Sequence, residues 1–117
     1  MSDQAADPFH NWISQCTQIP GVLGSGIHLP DGSIRCQSTS EFLSDDKLES
    51  LIRRLAAWEP RLTEALKGYK TAFWRFEKAN IRCDWRPDGA MAFVMLRQDC
   101  QETSRLDSKM CAFMTLS

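Results

Sequence analysis

The sequence predicts an α+β single domain whose elements run α-β-β-α-β-β-β-α, with helices on both faces of the sheet. Three observations predict it. Met91 to Leu96 (Met-Ala-Phe-Val-Met-Leu) is an apolar run without polar alternation, and a strand apolar at odd and even positions alike has to be covered on both faces. The run is closed in front by Pro87-Asp88-Gly89 and behind by Arg97-Gln98-Asp99, which favours a central strand over a turn of buried helix. Three other stretches carry apolar residues at helical spacing, and the segments between them alternate with period two or break at turn residues.

Asp7-Pro8 opens the first helix, with Asp as N-cap and Pro at the first helical position. Phe9, Trp12, Ile13 and Cys16 then share one face, His10 lies off it towards solvent, and Ile19-Pro20-Gly21 ends the element. Val22 to Leu29 reads as a strand that turns at Leu29-Pro30-Asp31-Gly32. Ser33 to Ser38 returns beside it, with Ile34 and Cys36 on one face and Arg35 and Gln37 on the other. The spacing Gly21-x-x-Gly24-x-Gly26 invites a phosphate-loop reading, which fails: no Gly-Lys-Ser/Thr follows, and the next element is a strand. The glycines predict instead a close approach of a covering helix to the sheet.

Ser44-Asp45-Asp46 starts the longest helix, with Asp46 and Glu49 spaced as a capping box and Ser44 as the alternative cap. Leu48, Leu51, Ile52, Leu55, Trp58, Leu62, Ala65 and Leu66 form an apolar arc wider than one sheet face requires, which leaves surface for a second partner. Pro60 kinks or interrupts this pattern near Trp58-Glu59, and Gly68 closes it. Thr71 to Glu77 and Asn80 to Arg86 form a second hairpin around Glu77-Lys78-Ala79-Asn80. Trp74 and Phe76 share one face of its first strand; Ile81, Cys83 and Trp85 share one face of its second. Arg86-Pro87-Asp88-Gly89 repeats the earlier turn chemistry and leads into the central strand. Leu106, Met110, Phe113 and Met114 mark a short terminal helix capped by Thr103 or Ser104, its methionines read as core filler.

The totals exclude several functions. A chain of 117 residues with net charge -1 presents no global electrostatic case for nucleic acid or membrane. The segment Lys67 to Arg86 does carry six cations against Glu77 and Asp84. Trp74-Arg75-Phe76 and Trp85-Arg86 there combine rings with cations, the ingredients of single-strand binding. Strand alternation, however, puts rings and charges on opposite faces, so a nucleic-acid partner is not expected. The five cysteines have no Cys-x-x-Cys spacing, the pattern of buried thiols in a reducing compartment rather than a disulfide framework or zinc site. No secretory signal and no run of about 18 apolar residues is present, which predicts a cytoplasmic protein without a membrane span. Neither His10 nor His28 has an acid patterned to orient it, and Cys36 and Cys83 alternate with polar neighbours as buried, inert thiols do. No enzyme, catalytic residue, cofactor or metal is expected.

Two stretches carry a family resemblance: Ile-Pro-Gly-Val-Leu-Gly-Ser-Gly-Ile-His-Leu-Pro-Asp-Gly-Ser-Ile (19 to 34) and Ala-Asn-Ile-Arg-Cys-Asp-Trp-Arg-Pro-Asp-Gly-Ala-Met-Ala-Phe-Val-Met-Leu (79 to 96). With the element order, they make the chain resemble the roadblock family of dynein light chains and their bacterial relatives. The resemblance implies a five-stranded antiparallel sheet with the long helix on one face and the terminal helices on the other. It implies a single roadblock-like domain over residues 7–117, after a flexible terminus of residues 1–6. It also implies a homodimer formed by the long helix and the strand after it, acting without catalytic groups as a scaffold or regulator of a small Ras-like GTPase or motor complex. The expected dimer interface comprises Leu51, Leu55, Trp58, Leu62, Phe73, Trp74, Arg75 and Phe76. Pro60 and the short last helix depart from the family pattern at the partner surface. The alternatives are a dimeric secretion-type chaperone, which would be more acidic, and a ligand-sensing or nucleic-acid-binding module.

Overall fold

Met91–Leu96 is the middle strand. The computed structural model describes residues 7–41, 43–57 and 71–116. Its elements are α1 (Pro8–Thr17), β1 (Val22–His28), β2 (Ile34–Ser38), α2 (Asp45–Ala56), β3 (Thr71–Arg75), β4 (Asn80–Trp85), β5 (Met91–Leu96) and α3 (Thr103–Phe113). The sheet order is β2-β1-β5-β4-β3, antiparallel throughout. Alternation along β5 explains why the run is apolar at every position. Ala92, Val94 and Leu96 face a core closed by Trp12, Ile13 and Cys16 of α1 and Leu106, Met110 and Phe113 of α3. Met91 and Phe93 face the opposite core, closed by Leu48, Ile52 and Leu55 of α2. The two-faced covering and the strand count are those the sequence predicts. None of the described helices is long and apolar enough to cross a membrane.

Helix starts follow local chemistry. Asp7 caps α1 by accepting from the Phe9 amide at 3.0 Å, with Pro8 just inside. At α2 the cap is Ser44, whose hydroxyl accepts from the Lys47 amide at 3.2 Å. Asp45 and Asp46 therefore fall inside the first turn, where carboxylates oppose the helix dipole favourably, and the Asp46–Glu49 capping box does not form. At α3 neither Thr103 nor Ser104 is the cap; Glu102 holds that position without a side-chain cap bond. The helix is secured from outside instead. Arg82 bridges Asp84 on its own strand to Asp107 on α3. Arg86 donates to the carbonyls of Phe113, at 3.1 Å, and Leu116, and its guanidinium lies 5.1 Å from the Phe113 ring centroid. From α1, Trp12 Nε1 donates to the Lys109 carbonyl at 2.8 Å.

The two Pro-Asp-Gly turns are the same device used twice. Gly32 donates to the Leu29 carbonyl and Gly89 to the Arg86 carbonyl, at 2.9 and 3.0 Å. Both glycines have positive φ, +90° and +96°, where a side chain would be strained. Asp31 and Asp88 each accept from the amide two residues on. Gly24 and Gly26 are the predicted close approach. A Cβ on Gly26 would fall 2.4 Å from Cδ1 of Ile52, and one on Gly24 3.1 Å from Cδ2 of Leu48, so α2 rests directly on the backbone of β1.

Candidate interaction surface

The edge formed by β3 is built by a turn. Phe76 donates its amide to the Ala79 carbonyl at 2.9 Å, which ends the strand at Arg75 rather than at Glu77. That bond also sets the phase of the ladder: Trp74 and Ala72 bond inward to β4, and Thr71, Phe73 and Arg75 turn their amides and carbonyls outward. The side chains follow the pleat. Trp74 joins the α2 face, its ring 6.5 Å from that of Trp85 at 69°. Phe73 and Phe76 are the exposed large hydrophobic residues among those described, at 50% and 47%. Beside Phe76 opens an apolar hollow of about 250 Å³ lined by Leu51, Ala79, Ile81, Met95 and the stem of Lys78.

The predicted interface residues therefore divide. Leu51, Phe73, Trp74, Arg75 and Phe76 lie on or beside this edge. Leu55 is buried in the core beneath α2, 8% exposed. Trp58 and Leu62 lie outside the described residues, as do Pro60 and residues 1–6. Ala79, Ile81 and Met95 complete the hollow without having been foreseen. Met95 is half-buried where β5 leaves the core, a position the unbroken apolar run conceals.

Two cations of the basic segment are engaged within the fold, and Lys67 and Lys70 lie outside the described residues. Arg82 and Arg86 are both spent on α3, and Arg86 also pairs with Asp88. Trp85 and Arg86 point to opposite sides of the sheet, as alternation predicts.

The remaining titratable groups are set by burial. The Cys16 thiol is pushed up to about 11, chiefly by burial, against a smaller opposite pull from Ser25. Burial also raises Cys83 well above its ordinary value. Cys36 is raised to about 11 by burial and then by the carboxylates of Asp45, Glu49 and Asp46. Burial is not general, however: Cys36 and Cys100 are only half-buried and Cys111 is exposed, because Cys111 lies on the outer face of α3. His28 is lowered by burial first and by Arg53 second. The Asp31 carboxylate nearest it in sequence is engaged with the amide and hydroxyl of Ser33. Among the described residues no three His, Cys, Asp or Glu side chains converge as a metal site.

No family model matches the sequence, and no curated protein matches it. Solved structures do. A Roadblock/LC7 domain from Streptomyces avermitilis superposes with a TM-score of 0.66 at 11% identity, covering 88% of each chain. MglB from Myxococcus xanthus gives 0.71 at 10% identity, covering 92% of this chain and 85% of the other. An MglB with a tetrameric arrangement gives 0.65 at 12%, covering 92% and 88%. At such identities the correspondence is one of architecture: the protein has the roadblock/LC7 fold.

Proposed function

We propose that the protein is a non-enzymatic homodimeric scaffold or regulator of a small Ras-like GTPase or motor complex, closed across β3. The observation that carries this reading is the β3 edge. It presents three outward-facing residues whose backbone is unpaired among the described residues, together with two half-exposed phenylalanines and an adjoining apolar hollow. An edge so apolar invites pairing, and a second copy running antiparallel across a twofold axis satisfies both its amides and its rings. The roadblock/LC7 fold supports the regulatory part, since members of that family work through protein surfaces rather than catalytic groups.

Arg75→Pro is the discriminating substitution. The Arg75 amide points away from β4, so proline removes an outward donor without breaking the hairpin, at a strand edge where proline is tolerated. Sedimentation at micromolar concentration is expected to give about twice the 13.3 kDa chain mass for the native sequence and a monomer for the variant. A folded, dimeric Arg75→Pro protein places the interface elsewhere. Partner capture from native lysate, compared between the two proteins, tests the GTPase: a bound GTPase lost with the dimer supports the reading, and its absence from both overturns that part.

A further inference from the structure

The opposite margin of the sheet has a different chemistry. The Leu29 amide donates to the Ser33 carbonyl and the Thr39 amide to the Leu23 carbonyl. With the β1–β2 register, these bonds turn Ser33, Arg35, Gln37 and Thr39 inward and Ile34, Cys36 and Ser38 outward. The outward amide of Ser38 is taken by Asp45 Oδ1 at 2.9 Å. Ile34 and Cys36 are left with their amides and carbonyls unpaired among the described residues.

Both residues line a trough of about 510 Å³, together with residues from the N-terminal parts of α1 and α2. Four carboxylates line it, Asp7, Asp45, Asp46 and Glu49, against the one guanidinium of Arg35, which already pairs with Asp7. The three carboxylates of α2 line the trough beside Cys36, whose side chain is on the α2 face of the strand. A strand laid beside β2 would turn alternate side chains towards them and the others towards Ile13 and Arg35.

We infer that the outer edge of β2 receives an extended, basic peptide segment of a partner protein, which pairs with Ile34 and Cys36 as a sixth strand and sets alternate Lys or Arg side chains against Asp45, Asp46 and Glu49. Backbone pairing supplies the register and the carboxylates supply the selectivity. This surface is separate from the β3 edge and stands whether or not the chain dimerises there.

The test uses the full chain and a fluorescein-labelled peptide, Thr-Lys-Val-Lys-Val-Lys, followed by anisotropy. Binding is expected, weakening as salt rises. N-methylation of the peptide at alternate amides, which keeps its charge and removes its ladder donors, is expected to weaken it by about tenfold or more. Replacing its lysines by glutamate abolishes binding. Asp46→Asn with Glu49→Gln weakens it by about fivefold, as two exposed charge pairs should, while Arg75→Pro leaves it unchanged. Hydrogen exchange of the complex should slow at Ile34 and Cys36. Equal binding of the N-methylated peptide, or slowing at Phe73 and Arg75 instead, overturns the proposal. So does a failure of the lysine peptide to bind, or the appearance of open chains of protein that the two carboxamide substitutions dissolve, which would assign the trough to a second copy.

Discussion

Replacing Gly26 with alanine puts a methyl group where α2 and β2 already converge on β1. The new carbon would lie 2.4 Å from Cδ1 of Ile52, 2.9 Å from the Arg35 carbonyl oxygen and 2.9 Å from Cβ of Cys36. Carbon atoms rest about 3.5–4.0 Å apart, so Ile52, fully buried, has to withdraw by roughly an ångström, and β2 cannot follow without straining its ladder. Overpacking of this kind costs about 1–3 kcal/mol, offset by about 0.4–1 kcal/mol for the less flexible unfolded chain. The expected net loss is about 1–2 kcal/mol, read by urea unfolding at fixed protein concentration, or as a fall of about 5 °C in Tm. Gly24→Ala is the internal control. Its carbon meets Leu48 at 3.1 Å and no backbone closer than 3.6 Å, so it should stay within about 1 kcal/mol of the native protein. Ile52→Val completes a double-mutant cycle, because it deletes the atom in conflict. Alone it costs about 1 kcal/mol; in the Gly26→Ala background it should cost nothing or restore stability. A Gly26→Ala protein as stable as the native one, or a cycle that is strictly additive, would refute the claim that α2 rests on the β1 backbone.

Arg86→Ala removes two hydrogen bonds to carbonyls at the end of α3 and the cation above Phe113. It should cost about 2 kcal/mol and accelerate hydrogen exchange in α3 before the sheet, with Arg86→Lys recovering less than half; uniform exchange across the chain would contradict the tie. Cys111, the exposed thiol, should react rapidly with a disulfide reagent at pH 8 in the native protein, the half-buried Cys36 slowly because its pKa is raised, while Cys16 and Cys83 wait for unfolding. Because the folded state holds Cys16 and Cys36 near 11, above the ordinary 9.0, their contribution is complete below pH 9 and is lost as pH rises towards 11. Unfolding at pH 8 and pH 10 should therefore differ, and Cys16→Ala should reduce the difference; an unchanged difference would place the alkaline lability elsewhere. Elemental analysis should find no stoichiometric metal.

The architecture was legible where one local rule acted alone. Met91–Leu96 announced a doubly covered strand because no polar residue interrupts it, and the two Pro-Asp-Gly turns because their residues have few other uses. Helix caps were less legible: Ser44, Asp45 and Asp46 can each cap α2, and the choice went to Ser44 once Asp45 was drawn to the Ser38 amide on the neighbouring strand. At α3 the sequence held plausible caps that the helix does not use, and the tertiary bonds from Arg82 and Arg86 that hold it come from β4 and the residue after it, distant in sequence. The candidate surface was half visible. Phe73 and Phe76 stood out as large rings on an edge strand, but the arc on α2 could not reveal that Leu55 serves its own sheet while Leu51 borders the hollow. The acidic trough was not anticipated, since its carboxylates come from two helices that only the fold brings to either side of β2.

Three of the four strand pairings join neighbours in sequence; only β1 with β5 brings distant segments together. Each Pro-Asp-Gly turn can close its own hairpin on a microsecond scale, and the two tips end side by side, with Pro30 only 3.9 Å from where a Gly89 Cβ would stand. The slow event expected in folding is then the pairing of one hairpin against the other along the β1–β5 seam, which has to wait for closure of the chain between them. The seam is reinforced on one side by Trp12 against Phe113, with ring centroids 5.5 Å apart. In topology the sheet is two units, β1-β2 with α1 and α2 packed on it and β3-β4-β5 followed by α3, each of which carries its own turn to the seam.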